Sequence, residues 1–291
     1  MRENDLLENA PALAGEKDSA AAYRYLAEKR RDVPDCGPQV WYVLACLAGG
    51  GGAPETALAH LTEAISERGF FYRPEVLEDE DLLALMGDPA FTALRALSDD
   101  RYAAALKEGK SRCTWRGKTG DEIVLCLHGN GQNGEIALSD WAFLNAPGVQ
   151  VEALQSAVPD CTGRYRWGYD GAHDGDLYGW TRRMDWGAYT RRTLAGFSAG
   201  CDGILRELAL TPVSCQRILL QSPWTPFFTE EPDRVAEAVA RRGAKAFISC
   251  GELDEDCRDT AAALYEKLRP LGAELCWQPG IRHQFPKPSG T

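Results

Sequence analysis

The stretch that most constrains the fold lies near the middle of the chain and reads Gly-Phe-Ser-Ala-Gly, residues 196–200. Residues 193–195 before it are predicted to form a short strand, and residues 201–210 after it a helix. A serine flanked by glycines at a strand-to-helix turn is the pattern of a nucleophile elbow. Ser198 is therefore the candidate nucleophile. The alternative is an ordinary turn, because the motif is short and the chain contains 29 glycines.

Apolar runs of strand length recur through the C-terminal two-thirds of the chain, separated by segments with helical patterns. Runs that are apolar throughout suit strands covered on both faces. Alternating strands and helices predict an α/β fold with a mostly parallel sheet. The predicted strands are residues 112–116, 122–127, 151–155, 217–221, 244–250 and 273–278.

Candidate catalytic groups follow three of these strands. A glycine-rich loop, residues 128–134, follows the strand at 122–127. Asp254 follows the strand at 244–250, and His283 follows the strand at 273–278. The order glycine-rich loop, Ser, Asp, His is the order of an α/β-hydrolase triad. Asp256, in the same loop as Asp254, is the alternative acid.

Four motifs carry a resemblance to a known family. They read LHGNGQN (127–133), GFSAG (196–200), GELD (251–254) and GIRHQFP (280–286). The chain from about residue 113 onward resembles an α/β hydrolase of the carboxylesterase/phospholipase-like serine esterase branch. The resemblance implies a mostly parallel sheet with helices on both faces, cleavage of a small-molecule carboxylic ester or thioester, and no cofactor or metal.

Two departures from the family pattern stand out. Cys201 and Asp202 follow the elbow, where relatives often carry another glycine. The region before the strand at 122–127 leaves little room for the first two strands of a complete hydrolase sheet.

Backbone groups complete the expected site. The N–H of Ala199, the residue after the nucleophile, is the first candidate donor to an oxyanion. The N–H of Asn130, in the glycine-rich loop, is the second.

The chain contains four histidines, and only His283 has the strand-then-loop placement that the base of a triad needs. His60 lies in a predicted helix of the N-terminal region. His128 belongs to the glycine-rich loop and is expected to support it. His173 lies in an aromatic-rich segment and is expected to face solvent or substrate.

That aromatic-rich segment, residues 157–189, is predicted to form a substrate-side loop or small lid, because ligands bind beyond the carboxyl ends of parallel strands. Trp167 in this segment and Trp224 after the strand at 217–221 are candidates to line an apolar or aromatic pocket. The alternative is that these aromatic side chains simply pack on the domain.

The first hundred residues have a helical composition, and we predict a helical domain over residues 1–108 and the catalytic domain over residues 109–291. Residues 39–71 resemble one tetratricopeptide unit, and residues 79–97 resemble the helix that often closes such repeats. A lone repeat cannot bury its own face. This domain is therefore expected to pack on the catalytic domain, on a protein partner or on a second copy. A plain helical bundle is the alternative.

Composition narrows the functional classes. The net charge of −11 argues against nucleic acid as the main partner. Without an apolar run of about 20 residues, no membrane span is predicted. The ten cysteines contain no Cys-x-x-Cys pair, which argues against a zinc site. Because the N-terminus lacks a signal-peptide pattern, the cysteines are expected to be reduced thiols in a cytoplasmic protein.

Three functions are consistent with this pattern. The first is a serine esterase, the second a serine peptidase on the same fold. The third is a non-catalytic protein-interaction module that uses the helical domain.

Overall fold

The structure is a computed structural model that describes residues 3, 6, 7, 9, 10, 13, 18–33, 35–168 and 176–286. It divides into two compact units. The first consists of Met1–Gly109 and Pro159–Arg164, and the second of Lys110–Val158 and Tyr165–Thr291. The sequence did not predict that the short segment Pro159–Arg164 belongs with the N-terminal helices.

Helices and short helical turns make up the N-terminal segment of the first unit. Proline stands at the start of three of its four described helices, where its missing N–H and fixed φ are suited to a first helical turn. The helices are α1 (Ser19–Lys29), α2 (Pro38–Gly50), α3 (Pro54–Thr62) and α4 (Pro89–Glu108), with a π turn at Glu63–Glu67 and 3-10 turns at Arg30–Asp32, Pro74–Glu78 and Glu80–Leu85.

The first unit has a hydrophobic core of its own, in which α2 and α3 pack against each other. Trp41 and Tyr72 are among its largest buried side chains, and the Tyr72 hydroxyl donates to Pro38 O at 2.7 Å. A packed helix pair occurs in helical repeats and in plain bundles alike. The tetratricopeptide interpretation therefore stays a prediction.

The second unit is built on a seven-stranded sheet with the order β1-β3-β2-β6-β7-β8-β9. All neighbouring strands pair in parallel except β1, which is antiparallel to β3. The strands are β1 (Arg112–Cys113), β2 (Glu122–Leu127), β3 (Val149–Gln155), β6 (Arg191–Phe197), β7 (Arg217–Gln221), β8 (Lys245–Gly251) and β9 (Glu274–Gln278); β4 (Val158–Cys161) and β5 (Arg164–Arg166) form a two-stranded sheet.

A strand lies at each predicted position, but the one predicted over residues 112–116 is only Arg112–Cys113, and β4 and β5 were not predicted. The mostly parallel sheet is confirmed. Both faces are covered, because alternate residues of a strand point to opposite sides. In β2, Ile123, Leu125 and Leu127 enter the larger core, while Val124 and Cys126 enter the smaller core on the other face. Only the two-residue β1 precedes β2 in this sheet, which agrees with the short region noted in the sequence.

Six helices of the second unit are described. Residues from α7, α9 and α10 enter the larger core, and α5 contributes to the smaller one. The helices are α5 (Gly134–Asp140), α6 (Asp176–Arg183), α7 (Ala199–Leu210), α8 (Pro226–Glu230), α9 (Pro232–Arg242) and α10 (Arg258–Leu268).

The strand order places a crevice at the centre of the sheet. The chain runs from β2 to β3 on one side and returns to β6 on the other side of β2. The loops after β2 and β6 therefore lie next to each other at the carboxyl edge, where open α/β sheets bind ligands.

Within the described ranges, no helix combines the length and apolar character that crossing a bilayer requires.

Candidate functional site

Ser198 lies at the sharp turn between β6, which ends at Phe197, and α7, which begins at Ala199. Its φ of 50° and ψ of −121° are rare for a residue with a side chain and cost about 1–3 kcal/mol. Two backbone hydrogen bonds hold this conformation. The Ser198 N–H donates to Gln221 O, and the Cys201 N–H donates to Ser198 O, both at 3.0 Å.

Both glycines of the elbow are required by close backbone contacts. A Cβ on Gly196 would lie 2.7 Å from Cys201 N. A Cβ on Gly200 would lie 2.5 Å from Leu127 O, at the end of β2. These distances are shorter than van der Waals contact, so the motif lets α7 approach both its own strand and the neighbouring one.

The structure brings Ser198, His283 and Asp254 together. His283 Nε2 lies 3.0 Å from Ser198 Oγ, and His283 Nδ1 lies 3.0 Å from Asp254 Oδ2. With the Nδ1–H donating to the carboxylate, Nε2 is left to accept from the serine hydroxyl. Asp254 is 1% exposed, whereas Asp256 is exposed to solvent. The carboxylate beside His283 is therefore that of Asp254.

Opposing effects act on the Asp254 carboxyl. Burial alone would raise its pKa, but the hydrogen bond and charge of His283 lower it, as do the nearby Ser222 hydroxyl and the hydrogen bond from the Cys257 N–H. The pKa of Asp254 is lowered on balance. Asp254 is consequently ionised at neutral pH and can orient the imidazole.

The loops that carry Asp254 and His283 pack closely. A Cβ on Gly251 would clash with Ile281 O, and the Leu253 N–H donates to Ile281 O at 2.9 Å. The ring of Phe197, the residue before Ser198, lies 5.4 Å from the His283 ring. Glycine at 251 thus allows the two loops after β8 and β9 to meet beside the elbow.

His128 is a buried structural histidine. Its Nδ1–H donates to Gly129 O at 2.7 Å, and its Nε2 accepts from the Ser156 N–H at 3.1 Å. Burial lowers the pKa of His128 to about 4, so the ring is neutral at physiological pH. These contacts fix the loop after β2, as expected from the sequence.

The glycine-rich loop lies against the elbow. A Cβ on Gly129 would lie 3.2 Å from Ser198 Cβ. The Gly129 N–H itself donates to Gln132 Oε1 at 2.9 Å, which removes it from the candidate oxyanion donors. The Asn130 and Ala199 N–H groups have no hydrogen-bond acceptor among the described residues, and they stay the two candidates.

Trp167 is placed inside the domain and not at an open pocket wall. It is 6% exposed and belongs to the larger core. Its indole N–H donates to His128 O at 2.7 Å, and its backbone N–H donates to Asn130 Oδ1 at 3.0 Å. Trp167 therefore supports the loop that carries Asn130, and direct contact with substrate is not favoured.

Most of the other described aromatic side chains in the 157–189 segment also pack on the domain. Trp186 and Tyr189 are buried in the larger core, and Tyr178 and Trp180 pack against it. These contacts favour the packing alternative over a lid. His173 and Tyr169 lie outside the described residues.

Trp224 differs from Trp167. It follows β7 at the carboxyl edge of the sheet and is 37% exposed. Its position is compatible with a pocket wall, and it remains a candidate substrate contact.

Ser222 and Cys257 were not predicted from the sequence. Ser222 is fully buried with a φ of 45°, and its hydroxyl helps to lower the pKa of the Asp254 carboxyl. The Cys257 N–H donates to Asp254 Oδ1 at 3.0 Å. Ser222 directly follows the predicted strand at 217–221, and Asp254 follows the predicted strand at 244–250. That placement after a strand is the only sequence signal for a role of Ser222.

Asp202, one of the two departures from the family pattern, is fully buried in the first turn of α7. Its Oδ1 accepts from the Phe227 N–H at 2.8 Å, and Arg206 Nε lies 3.8 Å from its Oδ2. Burial raises the pKa of Asp202 to about 6. The residue links the nucleophile helix to the start of α8.

Asp202→Asn should change how stability depends on pH. The folded-state pKa of about 6 exceeds the ordinary 3.8, so folding favours the protonated form and the ionised form is destabilising. Wild type should therefore gain stability relative to Asp202→Asn as pH falls through 6, by about 2 kcal/mol between pH 7.5 and 4.5. Urea unfolding of both proteins at the two pH values measures this gain. Equal changes in both proteins would contradict the assignment.

Comparison with known proteins adds two findings. Residues 2–106 match a family model described as an A/B hydrolase-like N-terminal domain. An uncharacterized protein from Bacillus cereus ATCC 10987 superposes with a TM-score of 0.54 and 22% identity over 99% of this chain and 95% of that one. The chain has the α/β-hydrolase fold. The helical region before its sheet is of the kind that accompanies this fold in other proteins.

More distant solved structures include esterase PE8, with a TM-score of 0.45 and 18% identity over 60% of this chain and 90% of that one. Another is acyl-protein thioesterase 2 from Zea mays, with a TM-score of 0.44 and 14% identity over 60% of this chain and 92% of that one. Both are too distant to bear on activity. A comparison with curated proteins found no match.

Proposed function

We propose that the second unit is a serine hydrolase that cleaves carboxylic esters or thioesters. The observation that carries this proposal is the continuous hydrogen-bonded chain from Ser198 Oγ through the His283 imidazole to the Asp254 carboxylate, with heavy-atom distances of 3.0 Å. A nucleophile, a base and an orienting acid in this arrangement are suited to acyl transfer.

The proposed reaction has two stages. Ser198 Oγ attacks the acyl carbon while His283 Nε2 takes the hydroxyl proton, and His283 then passes that proton to the leaving alcohol or thiol. Water next attacks the acyl-enzyme, with His283 again accepting a proton and returning it to Ser198 as the acid is released. Asp254 keeps the Nδ1–H in place and stabilises the imidazolium in both stages.

Negative charge on the carbonyl oxygen needs donors on the side of Ser198 that faces the loop after β2. The Ala199 N–H lies at the N-terminus of the 12-residue helix α7, where the helix dipole favours negative charge. The Asn130 N–H is the proposed second donor. Its loop is held by the contacts of Trp167 and His128, so the donor would be preorganised before substrate binds.

The proposed substrate contact lies at the carboxyl edge of the sheet. Trp224, at the open carboxyl edge, is the proposed contact for an apolar or aromatic group of a small-molecule ester. Interaction of the helical unit with a protein partner or a second copy stays a prediction. A cytoplasmic location is supported by the cysteines, since all ten are free thiols and nine are buried.

Labelling with a fluorophosphonate probe tests the proposal. Wild-type protein should be labelled, the adduct should map to Ser198, and Ser198→Ala should not be labelled. A substrate panel should then show turnover of p-nitrophenyl acetate, p-nitrophenyl butyrate or an acyl thioester above that of peptide p-nitroanilides.

Other outcomes would support the other two functions. Faster turnover of peptides than of esters would support the serine peptidase. Absence of labelling and turnover in folded wild-type protein would support the protein-interaction module.

A further inference from the structure

The loop that carries Asp254 also carries a thiol that the proposed reaction does not use. Cys257 lies three residues after Asp254, immediately before α10. Its Sγ is 3.5 Å from His283 Nδ1, on the side of the ring that faces Asp254. A sulfur, an imidazole nitrogen and a carboxylate oxygen from these three residues all lie within 4.8 Å of one another.

These three groups are the ligand types that Zn²⁺ prefers in proteins. With zinc–ligand bonds of 2.0–2.3 Å, a tetrahedral site places its donor atoms about 3.3–3.8 Å apart. The sulfur–nitrogen distance of 3.5 Å already fits, and the nitrogen–oxygen distance of 3.0 Å needs only a small opening. Two of the three donor–donor distances are thus near the edge lengths of a zinc tetrahedron, and the third, between sulfur and oxygen, is within 4.8 Å.

The surroundings provide access as well as ligands. Cys257 and Asp254 are buried, but the His283 side chain is 31% exposed. Of the three ligand residues, the histidine therefore faces solvent most.

We propose that Cys257, His283 and Asp254 form an inhibitory zinc site, in which bound Zn²⁺ switches off the proposed hydrolase. This proposal rests on the proposed function for its consequence, but the binding itself does not. It concerns a reversibly bound ion and not a resident cofactor. The sequence did not predict this site because the three ligands form no Cys-x-x-Cys pair.

The inhibition follows from the two imidazole nitrogens. Zinc takes the lone pair of Nδ1, so the proton carried there moves to Nε2, and the Cys257 thiol releases its proton to solvent. An Nε2 that carries a proton cannot accept one from the Ser198 hydroxyl. The Asp254 carboxylate, bound to the metal, no longer orients the ring. Removal of zinc restores the original arrangement.

Metal binding is tested without reference to activity. Cd²⁺, which gives a thiolate-to-metal charge-transfer band when bound by cysteine, is titrated into wild-type protein and Ser198→Ala. Both should develop the band at one equivalent, and Cys257→Ser should lose it. Cys250→Ser and Cys276→Ser are the matched controls. Cys250 Sγ contacts Asp254 Oδ2 at 3.6 Å but lies outside the three-residue cluster, and Cys276 is the exposed cysteine.

Inhibition is measured for each variant as the zinc concentration that lowers turnover to half of that variant's own zinc-free rate. Cys257→Ser should raise this concentration at least about tenfold, the two controls should change it by less than about threefold, and EDTA should reverse the inhibition. Cys257→Ala replaces Cys257→Ser if the latter does not fold.

Equal zinc sensitivity of wild type and Cys257→Ser, or no cadmium band in wild type, would overturn the site. A cadmium band that depends on Cys257 in a protein without esterase activity would support the metal site and contradict only the proposed function.

Discussion

Replacing Asp254 by asparagine is expected to lower kcat by about 10⁴-fold, the loss typical of a triad whose acid becomes an amide. The same replacement at Asp256, two residues on in the same loop, should change kcat by less than about twofold. The two variants remove one charge each from the same loop, so they form a matched pair.

The physical reason lies in the hydrogen bond to His283. Asp254 Oδ2 accepts from the imidazole Nδ1–H at 3.0 Å, whereas an asparagine can place its NH₂ there. The asparagine NH₂ donates a hydrogen bond to Nδ1, so it favours the His283 tautomer that carries its proton on Nε2. A protonated Nε2 cannot act as the base. The other oxygen of Asp254 accepts from the Cys257 N–H, and asparagine can keep this bond, so the loop should stay folded.

Steady-state kinetics on p-nitrophenyl acetate, together with the melting temperature of each variant, measures this difference. Nearly equal melting temperatures would separate a catalytic loss from a folding defect. If Asp256→Asn lost activity and Asp254→Asn kept it, the acid would be Asp256 and the orientation of this loop would be different.

Gly200→Ala is expected to lower the free energy of unfolding by about 3 kcal/mol, at the upper end of the usual cost of overpacking. A Cβ at this position would lie 2.5 Å from Leu127 O and 2.7 Å from His128 O. Both are backbone atoms, which cannot turn aside as a flexible side chain can. Helix α7 would have to move away from β2, carrying Ser198 and the Ala199 N–H with it.

Gly179→Ala is the matched control. Gly179 lies inside α6, and a Cβ there would meet no described atom outside its own helix backbone within 4 Å. Because alanine favours a helix interior over glycine, this variant should be as stable as wild type or more stable by up to about 1 kcal/mol.

Urea unfolding monitored by circular dichroism measures the stability of both glycine variants, and probe labelling measures the geometry at Ser198. Equal stability of the two variants would contradict the close approach of α7 to β2.

The sequence determined the parts of the fold that depend on local pattern. Strand-length apolar runs such as 122–127 predict buried strands, because each residue of such a run must find an apolar environment on one face or the other. The glycines of residues 196–200 predict the elbow, because a turn this tight leaves no room for a Cβ. The sequence order of loop, serine, acid and histidine predicts the candidate site, because these residues follow parallel strands whose carboxyl ends meet at one edge of the sheet.

Only the tertiary structure decided which residues from distant segments contact each other. The GELD motif favours Asp254 but leaves Asp256 as the alternative, and in the structure it is Asp254 that turns inward to His283. Trp167 is an aromatic residue of the kind that lines pockets, yet its ring is buried in the larger core and its indole N–H donates to His128 O. Cys257 lies beside His283, a histidine 26 residues away, because the loops after β8 and β9 pack together. No local pattern encodes such a contact, since it is set by the packing of the whole sheet.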